Sequence, residues 1–543
     1  MQNIAIQTLQ SISLTKILMI LTLVLLWVIR KNKDDKWYFL TSASIILLYT
    51  IIAYPLKNFF WGGAGDELFV GAGLQKSLSL DFFKDFYYSG LPPFYPPLYF
   101  WVVGGLSSLM TASAITAGKI GVVITLGLWF FIPWVVYKKS NQEHPYLLLL
   151  PLISLTVIPF QDIITKPYEA ISALGIVLWF AFLIKNKELN WKKILFFGIS
   201  GGLLFITYYF WWFVILLAWI IYTILNSEIN FKEKIKQWFG VGIIMIATVS
   251  IYLIPLLNSY LKFGLENWQG RHLVPFDFTT FNPFNTVVLS LVTLLAIYSL
   301  VKFNTNKIVK ACLFIILASV GYQFFNHLAF VFGLSPMQML KPFHFLVTIT
   351  LSLLAGFGIH ELYHKFEDKY NLKFIGLIIF FLLSPFVIFL DNPNIQARLS
   401  ESLKPNQGYE LAQVVKAIPN LNEKIFLSSG TPSLNLFIPM NYFIAHNAHF
   451  SHHASLYSKR EEVVKNLSEA TSANEFLMIL NSTDINSMIL FLDEKNQTFP
   501  INLYIDNWPN GGKEIQYNIK KEYIDELNWS QIYNKDNWVI ITK

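Results

Sequence analysis

Apolar runs recur along the chain as far as residue 391, each near the roughly 20 residues that cross a bilayer as a helix, with short polar stretches between them. They predict membrane segments at 11–29, 37–55, 96–112, 119–137, 146–160, 168–185, 194–210, 211–227, 239–257, 284–302, 311–329, 343–360 and 373–391. The first carries Lys16 near its start and no small-residue cleavage site, so it reads as a retained helix rather than a signal peptide. After residue 391 the pattern changes. Short alternating runs (KIFLSS, SMILFLD, INLYID) surround one helical stretch over Glu461–Leu480, within a polar, Asn-rich tail. That tail predicts a water-soluble α/β domain of normal size. The expected fold class is a polytopic α-helical membrane protein, residues 1–391 with about 12–13 membrane segments, followed by a soluble α/β domain, residues 392–543.

Composition agrees: 54% of the residues are hydrophobic and 14% charged, which excludes an ordinary soluble enzyme. A net charge of +7 could signal nucleic acid. Here, however, the basic residues sit in short inter-span loops, at Arg30–Lys36, Lys138–Lys139, Lys185–Lys193, Lys232–Lys236, Lys302–Lys310 and His364–Lys373, where they act as orientation signals. No nucleic-acid partner is expected. From Lys138 onward two spans separate each neighbouring pair of basic loops, as cytoplasmic placement requires. Between Lys36 and Lys138 three apolar segments compete, so one of them, 96–112 after its prolines, is expected to be re-entrant or interfacial. This orientation places loop 56–95, segments 161–167, 258–283 and 330–342, and the tail on the outer face of a bacterial plasma membrane. The single cysteine, Cys312, precludes an intrachain disulfide or a cysteine-based zinc cluster.

Candidate chemistry concentrates in residues 61–101, WGGAGDELFV followed by DFFKDFYYSGLPPFYPPLYFW. Asp66 and Glu67 follow three glycines, which let backbone approach a ligand. The alternative for such a pair is a solvated turn or a helix N-terminus, where acids suit the dipole. The strip Leu91–Trp101 is stiff and proline-rich, and it carries Tyr95, Tyr99 and Trp101. It can serve as an interfacial aromatic belt, as a wall for a polyprenyl or sugar group, or as both. Candidate cations on the same side are Lys166, Arg271, His272 and Lys341, with Trp268 beside the second pair. The spacing of His446, His449, His452 and His453 fits neither a metalloprotease helix nor a zinc finger, so hydrogen bonding to sugar hydroxyls or locking of a loop is preferred over metal ligation. No glycine-rich phosphate loop of nucleotide type is present in the sequence.

Gly65-Asp66-Glu67 ahead of LPPFYPPLYFW resembles the first external loop of the GT-C glycosyltransferases that use polyprenyl-phosphate sugars. Within them it is most similar to the actinobacterial galactan arabinofuranosyltransferases. Asn447-Ala-His-Phe-Ser-His-His453, continuing to Arg460, resembles that family's C-terminal NAH…H segment, and Asp506-Asn-Trp-Pro-Asn510 its DN-aromatic-P motif. The resemblance implies Asp66 as catalytic base, with Glu67 supporting it. One carboxylate can deprotonate an attacking sugar hydroxyl, and a phosphate leaving group needs cations rather than a general acid. For the donor phosphate, Arg271–His272 and Lys341 rank above Lys166. Tyr95, Tyr99, Trp101 and Trp268 would line the substrates, and Asn447, His449, His452, His453, Asp506 and Trp508 would bind the acceptor. No cofactor is required, and a divalent cation is left open.

The expected function is an inverting transfer of a sugar, arabinofuranose by resemblance, from a polyprenyl phosphate to a cell-envelope glycan on the outer face. The alternatives are a transporter or flippase of lipid-linked sugars, or a ligase moving an oligosaccharide or polymer. Transporters place ionisable residues inside spans and show internal repeats. Here the spans read as nearly free of them, apart from His344, and the two halves show no repeat.

Overall fold

The computed structural model describes residues 36–543 apart from 61, 64, 111–112, 141–142, 187–188, 226–230, 267–280, 367–392, 405 and 407, together with a few scattered positions before residue 22. The predicted segment 373–391 and most of 11–29 lie outside the described residues. Each of the other eleven predicted segments contains helix among its described residues.

Five described helices have both the length and the apolarity to cross a membrane: Ala114–Lys139, Pro167–Lys185, Trp238–Phe263, Lys307–Val331 and Phe343–Leu362. Shorter apolar helices, Trp37–Ala53, Trp211–Leu225 and Val287–Lys302, accompany them. Polar side chains set several starts. Ser113 accepts from Thr116 N, Asn190 from Lys193 N and Thr286 from Leu289 N, so each hydroxyl or amide satisfies an orphan N–H of a first turn. Lys138, Lys139, Lys185 and Lys302 fall in last turns, where cations suit the dipole.

The helices run up and down, so these lysines gather at one end. There Lys185 Nζ meets Glu143 at 3.4 Å and also contacts His144, while Lys302 Nζ meets Glu361 at 2.7 Å. The opposite end carries the glycine turn, the proline strip and the tail. Helix Leu98–Ser108, from predicted segment 96–112, has eleven residues. That is about 16 Å of helix, roughly half the hydrocarbon thickness, so it does not span. Its prolines consume the residues that would have lengthened it.

Two expectations are corrected. Segment 161–167 is not simply a loop, because Phe160–Thr165 forms a short helix. The helical stretch 461–480 is two helices, Tyr457–Glu469 and Ala473–Asn481. The N-cap Ser472 accepts from Glu475 N, and Glu475 Oε2 accepts from Thr471 N just before the cap, so the second helix starts afresh.

The tail holds β1 (Ile425–Ser428), β2 (Asn441–Tyr442), β3 (Ser487–Phe491), β4 (Thr498–Asp506), β5 (Gly512–Lys520), β6 (Ser530–Lys535) and β7 (Trp538–Thr542). A five-stranded sheet has the order β2-β1-β3-β7-β6, with β1 parallel to β2 and β3, and β7 antiparallel to β3 and β6. β4 and β5 form a separate two-stranded ribbon. Alternation along the strands gives the sheet two apolar faces. Phe426, Ile489 and Ile540 join the core of the membrane helices, whereas Leu427, Met488, Leu490 and Ile541 pack with Val464, Phe476, Ile501 and Ile519 of the covering helices and ribbon. One face of the tail sheet is therefore seated on the helical bundle.

Polar bonds fix this seat. Lys57 N and Asn58 N donate to Ser402 O, and Tyr442 N to Tyr87 O. Tyr88 Oη accepts from Ala445 N at 3.1 Å and lies 2.7 Å from Ser451 Oγ, under the Arg460 guanidinium. Tyr88→Phe leaves the buried Ala445 N–H unpaired and should cost about 1–3 kcal/mol. The check is a lower thermal unfolding midpoint in lipid nanodiscs, and an unchanged midpoint would show that this bond does not anchor the tail.

Candidate active site

Asp66 opens helix Asp66–Leu78 instead of lying in a loop, and Gly65 stands at its N-cap with φ 57°. Gly63, with φ 74°, sits so close to the tail that a Cβ there would lie 2.9 Å from Leu436 Cδ1. Positive φ and close approach together call for glycine. This turn aims Asp66 toward the start of helix Pro167–Lys185, where Lys166 occupies the N-cap and Glu169 the first turn. Lys341 comes from the segment preceding Phe343.

The four side chains alternate in charge. Lys166 Nζ lies 2.9 Å from Asp66 Oδ2, and Lys341 Nζ lies 2.8 and 2.7 Å from the two oxygens of Glu169. All four line one cavity of about 170 Å³. Its walls include Phe69, Phe94, Tyr95, Tyr168, Tyr208, Tyr209, Phe210, Gln338, His449 and Phe450. Tyr95 donates to Tyr168 Oη at 3.2 Å, and Lys341 Nζ sits 5.6 Å from the centre of the Tyr208 ring.

The pairs differ in depth. Asp66 and Lys166 are 39% and 30% exposed toward the cavity, Glu169 and Lys341 only 3% and 16%. Burial pushes the Asp66 carboxyl up, but Lys166, helped by Lys341 and His449, outweighs it and holds the group below its ordinary value. Burial likewise pulls Lys166 down, and Asp66 and Glu169 more than restore it, so its pKa is raised. For Lys341 burial dominates over Glu169, and its pKa is lowered. Asp162, in the adjoining short helix, is pushed up to about 6 by burial despite Lys166.

Of the predicted site residues, Asp66, Lys166, Lys341, Tyr95 and His449 meet in this cavity. Lys166, ranked below Lys341, is the cation on Asp66. Glu67 turns away. Its Oε2 accepts from Gly63 N at 3.1 Å, and it borders a separate small void with Tyr49 and Lys119, because neighbouring positions on a helix cannot share a face. Tyr99 is buried against Gly121. Trp101 donates to Phe82 O at 2.6 Å and packs on Phe83, so neither aromatic lines the cavity. Arg271, His272 and Trp268 lie outside the described residues.

In the tail, Asn447 accepts from His449 N and so orients the segment that carries His449. His452 and His453 pack on Phe94 and Tyr260 behind the wall. Burial pushes them down to about 3 and about 4, leaving neutral rings that lock a loop. Asp506 ends the ribbon opposite Gly512, and Trp508 meets Phe330 edge-on, so neither reaches the cavity. Among the described residues, no three His, Cys, Asp or Glu side chains are grouped to hold a metal ion.

Sequence reasoning missed Glu169 and the run Tyr208–Phe210. The signal for Glu169 was present: an acid in the first turn of predicted span 168–185 is an exception to the nearly ion-free spans, and such residues mark functional sites. Glu169→Gln leaves the Lys341 ammonium buried without a carboxylate, which should cost about 3–5 kcal/mol. Asp66→Asn opens a partly exposed pair and should cost about 1 kcal/mol or less. Unfolding midpoints of the two variants check this order, and equal losses would refute the difference in depth.

The chain matches the family described as "Arabinofuranosyltransferase N terminal" over residues 2–371. Among curated relatives, the galactan 5-O-arabinofuranosyltransferase of Mycobacterium leprae is 22% identical over 271 residues, 44% of this chain and 40% of the relative. That of Corynebacterium glutamicum is 24% identical over 288 residues, 50% of this chain and 42% of the relative. The chain thus spans about two fifths of the length of these two relatives. The Mycolicibacterium smegmatis protein of the same name is 19% identical over 531 residues, covering 89% of this chain and 82% of the relative. The structure of ArnT from Cupriavidus metallidurans, solved bound to undecaprenyl phosphate, superposes with a TM-score of 0.51 at 10% identity, covering 94% of this chain and 98% of that one. This likeness establishes a shared GT-C-like fold. With the family match extending over well more than half of its length, the chain belongs to the arabinofuranosyltransferase N-terminal family.

Proposed function

We propose that the protein is a membrane glycosyltransferase that moves a pentofuranose, of arabinofuranose type, from a polyprenyl phosphate to a neutral cell-envelope glycan of galactan type. The observation that carries this reading is the Asp66 carboxylate held 2.9 Å from Lys166, in one aromatic cavity with the Lys341–Glu169 pair. The names of the relatives support the sugar and acceptor classes, and the undecaprenyl phosphate bound by ArnT supports the lipid carrier. Residues 1–391 form the catalytic membrane module in this reading, and 392–543 its partner domain. Gathering of Lys138, Lys139, Lys185 and Lys302 at the end opposite the cavity supports an extracytoplasmic site, by the positive-inside rule.

The chemistry follows from the charges. The donor phosphate takes Lys166 and Lys341 as its counter-ions. Drawing Lys166 toward the phosphate frees the Asp66 carboxylate to accept the proton of the acceptor hydroxyl. The hydroxyl oxygen bonds to the anomeric carbon from the face opposite the phosphate, the bond from that carbon to the phosphate oxygen breaks, and its electron pair leaves on the phosphate. One displacement inverts the anomeric centre. Tyr95 and Tyr168, linked by their hydroxyls, offer rigid walls for the sugar.

Asp66→Asn should abolish transfer in purified protein while keeping a near-normal unfolding midpoint; full activity would sink the assignment. The pH dependence of kcat/KM gives a second check. Asp66 sits below its ordinary value, so the active carboxylate form persists as pH falls through the usual carboxylate range. Removing Lys166 leaves burial to push the carboxyl up, so whatever rate Lys166→Met retains should begin to fall at a higher pH. An unmoved acid limb would mean that Asp66 is not the base.

A further inference from the structure

A second cavity, of about 440 Å³, lies in the tail between the β4–β5 ribbon and the turn at Gly430, with His446 at its inner edge. It is larger than the active cavity and falls in the range of ligand sites. Two directly opposed pairs on the ribbon line it, Asn502 with Gln516 and Tyr504 with Glu514. These four share one face of the ribbon, while Ile501 and Ile505 point to the apolar core behind. The Tyr504 ring is held across Gly512, where a Cβ would come within 2.3 Å of it. Among the described residues, the side chains of Asn502, Tyr504 and Glu514 make no hydrogen bond within the protein, so their polar groups stay available. His446 is kept neutral, because burial pushes it down to about 4.

Beside Gly430, Leu503 and Ile515, the lining is two amides, a phenol, a neutral imidazole and one carboxylate, with no cation among them. An anion would meet Glu514 unopposed. A polyol suits the set, since every group can donate to or accept from a hydroxyl. The contrast with the two-lysine active cavity is chemical, and the two sites are structurally joined. His446 O accepts from Tyr504 N at 2.8 Å, Asn447 bridges to Tyr504, and His449 and Phe450, three and four residues beyond His446, wall the active cavity.

We infer that this groove is a distal saccharide subsite, which holds the neutral glycan acceptor several residues away from the hydroxyl presented to Asp66. The inference rests on the acceptor class proposed above. It makes the protein length-selective: a long acceptor occupies both cavities, a short one only the first.

The test uses the full chain in nanodiscs, with galactan fragments of two and six residues as acceptors. The wild type should show a KM about tenfold lower for the hexamer, the worth of one or two net hydrogen bonds. In Tyr504→Ala and in Glu514→Ala that ratio should collapse toward one. Glu514 is exposed on the ribbon, so its replacement keeps the test valid if Tyr504→Ala fails to fold. A wild type without length preference, or variants that keep it, would overturn the subsite. If the wild type transfers sugar to neither fragment, the proposed reaction falls. Saturation-transfer NMR of the same fragments then decides the groove: length-dependent binding lost in the variants supports it, and binding that is absent or unaltered refutes it.

Discussion

Four alternating charges at the lip of a bilayer set the terms for the rest of the molecule. An ion buried as deeply as Glu169 is too costly to leave unpaired, and the more exposed Asp66 and Lys166 pair at the same place. Asp66 comes from a glycine turn, Lys166 and Glu169 from either side of one helix start, and Lys341 from a segment 172 residues further on. Satisfying them brings these elements to one point. The glycines follow from this requirement, since the Asp66 turn must run against Leu436 of the tail with positive φ. Tyr95, Tyr168 and Tyr208 follow too, because they close the cavity with aromatic faces that exclude water and strengthen the remaining electrostatics.

The tail depends on the same point. One face of its sheet shares the bundle core through Phe426, Ile489 and Ile540, which fixes the height at which segment 446–450 crosses the cavity. His452 and His453 serve this placement by being neutral and packed. His452 Nδ1 accepts from Ala454 N, and the ring fills the space beside Phe94. A cluster that looks like metal chemistry in the sequence is, in two of its four members, His452 and His453, a device for holding a wall. His449 is the member whose ring lines the cavity.

How much of this was legible in the sequence varies with the range of the interaction. Apolar periodicity located the helices because burial in lipid is read residue by residue, and the alternation of KIFLSS, SMILFLD and INLYID located β1, β3 and β4 for the same reason. Asp66 was legible from the glycines before it. The partner of Asp66 was not, because nothing local distinguishes Lys166 from other outer lysines; the two, 100 positions apart, meet only in the fold. Glu67, Tyr99 and Trp101 were misread because composition carries no direction. A helix start sends Asp66 and Glu67 to different sides, and the proline strip ends in a helix that turns Tyr99 into the core and Trp101 onto Phe82 and Phe83. The second helix of 473–481 was spelled out by Ser472 and Glu475 and lost inside a continuous helical pattern.

The unequal depth of the two ion pairs also gives the proposed reaction an order. A pair as exposed as Asp66–Lys166 is worth about 1 kcal/mol or less, so an incoming phosphate can take the lysine at little cost. The buried Lys341–Glu169 pair cannot be opened that way, because Glu169 would be left charged at 3% exposure. Lys341 therefore contributes as a fixed positive field, while Lys166 is the group that changes partner. Until the phosphate arrives, Asp66 is engaged and a poor base; once it has arrived, the same carboxylate loses its counter-ion in a low-dielectric site and its proton affinity rises. Acceptor activation then waits on the donor. A hydroxyl bound alone is not deprotonated, and the acceptor meets a competent base only when an electrophile is already in place.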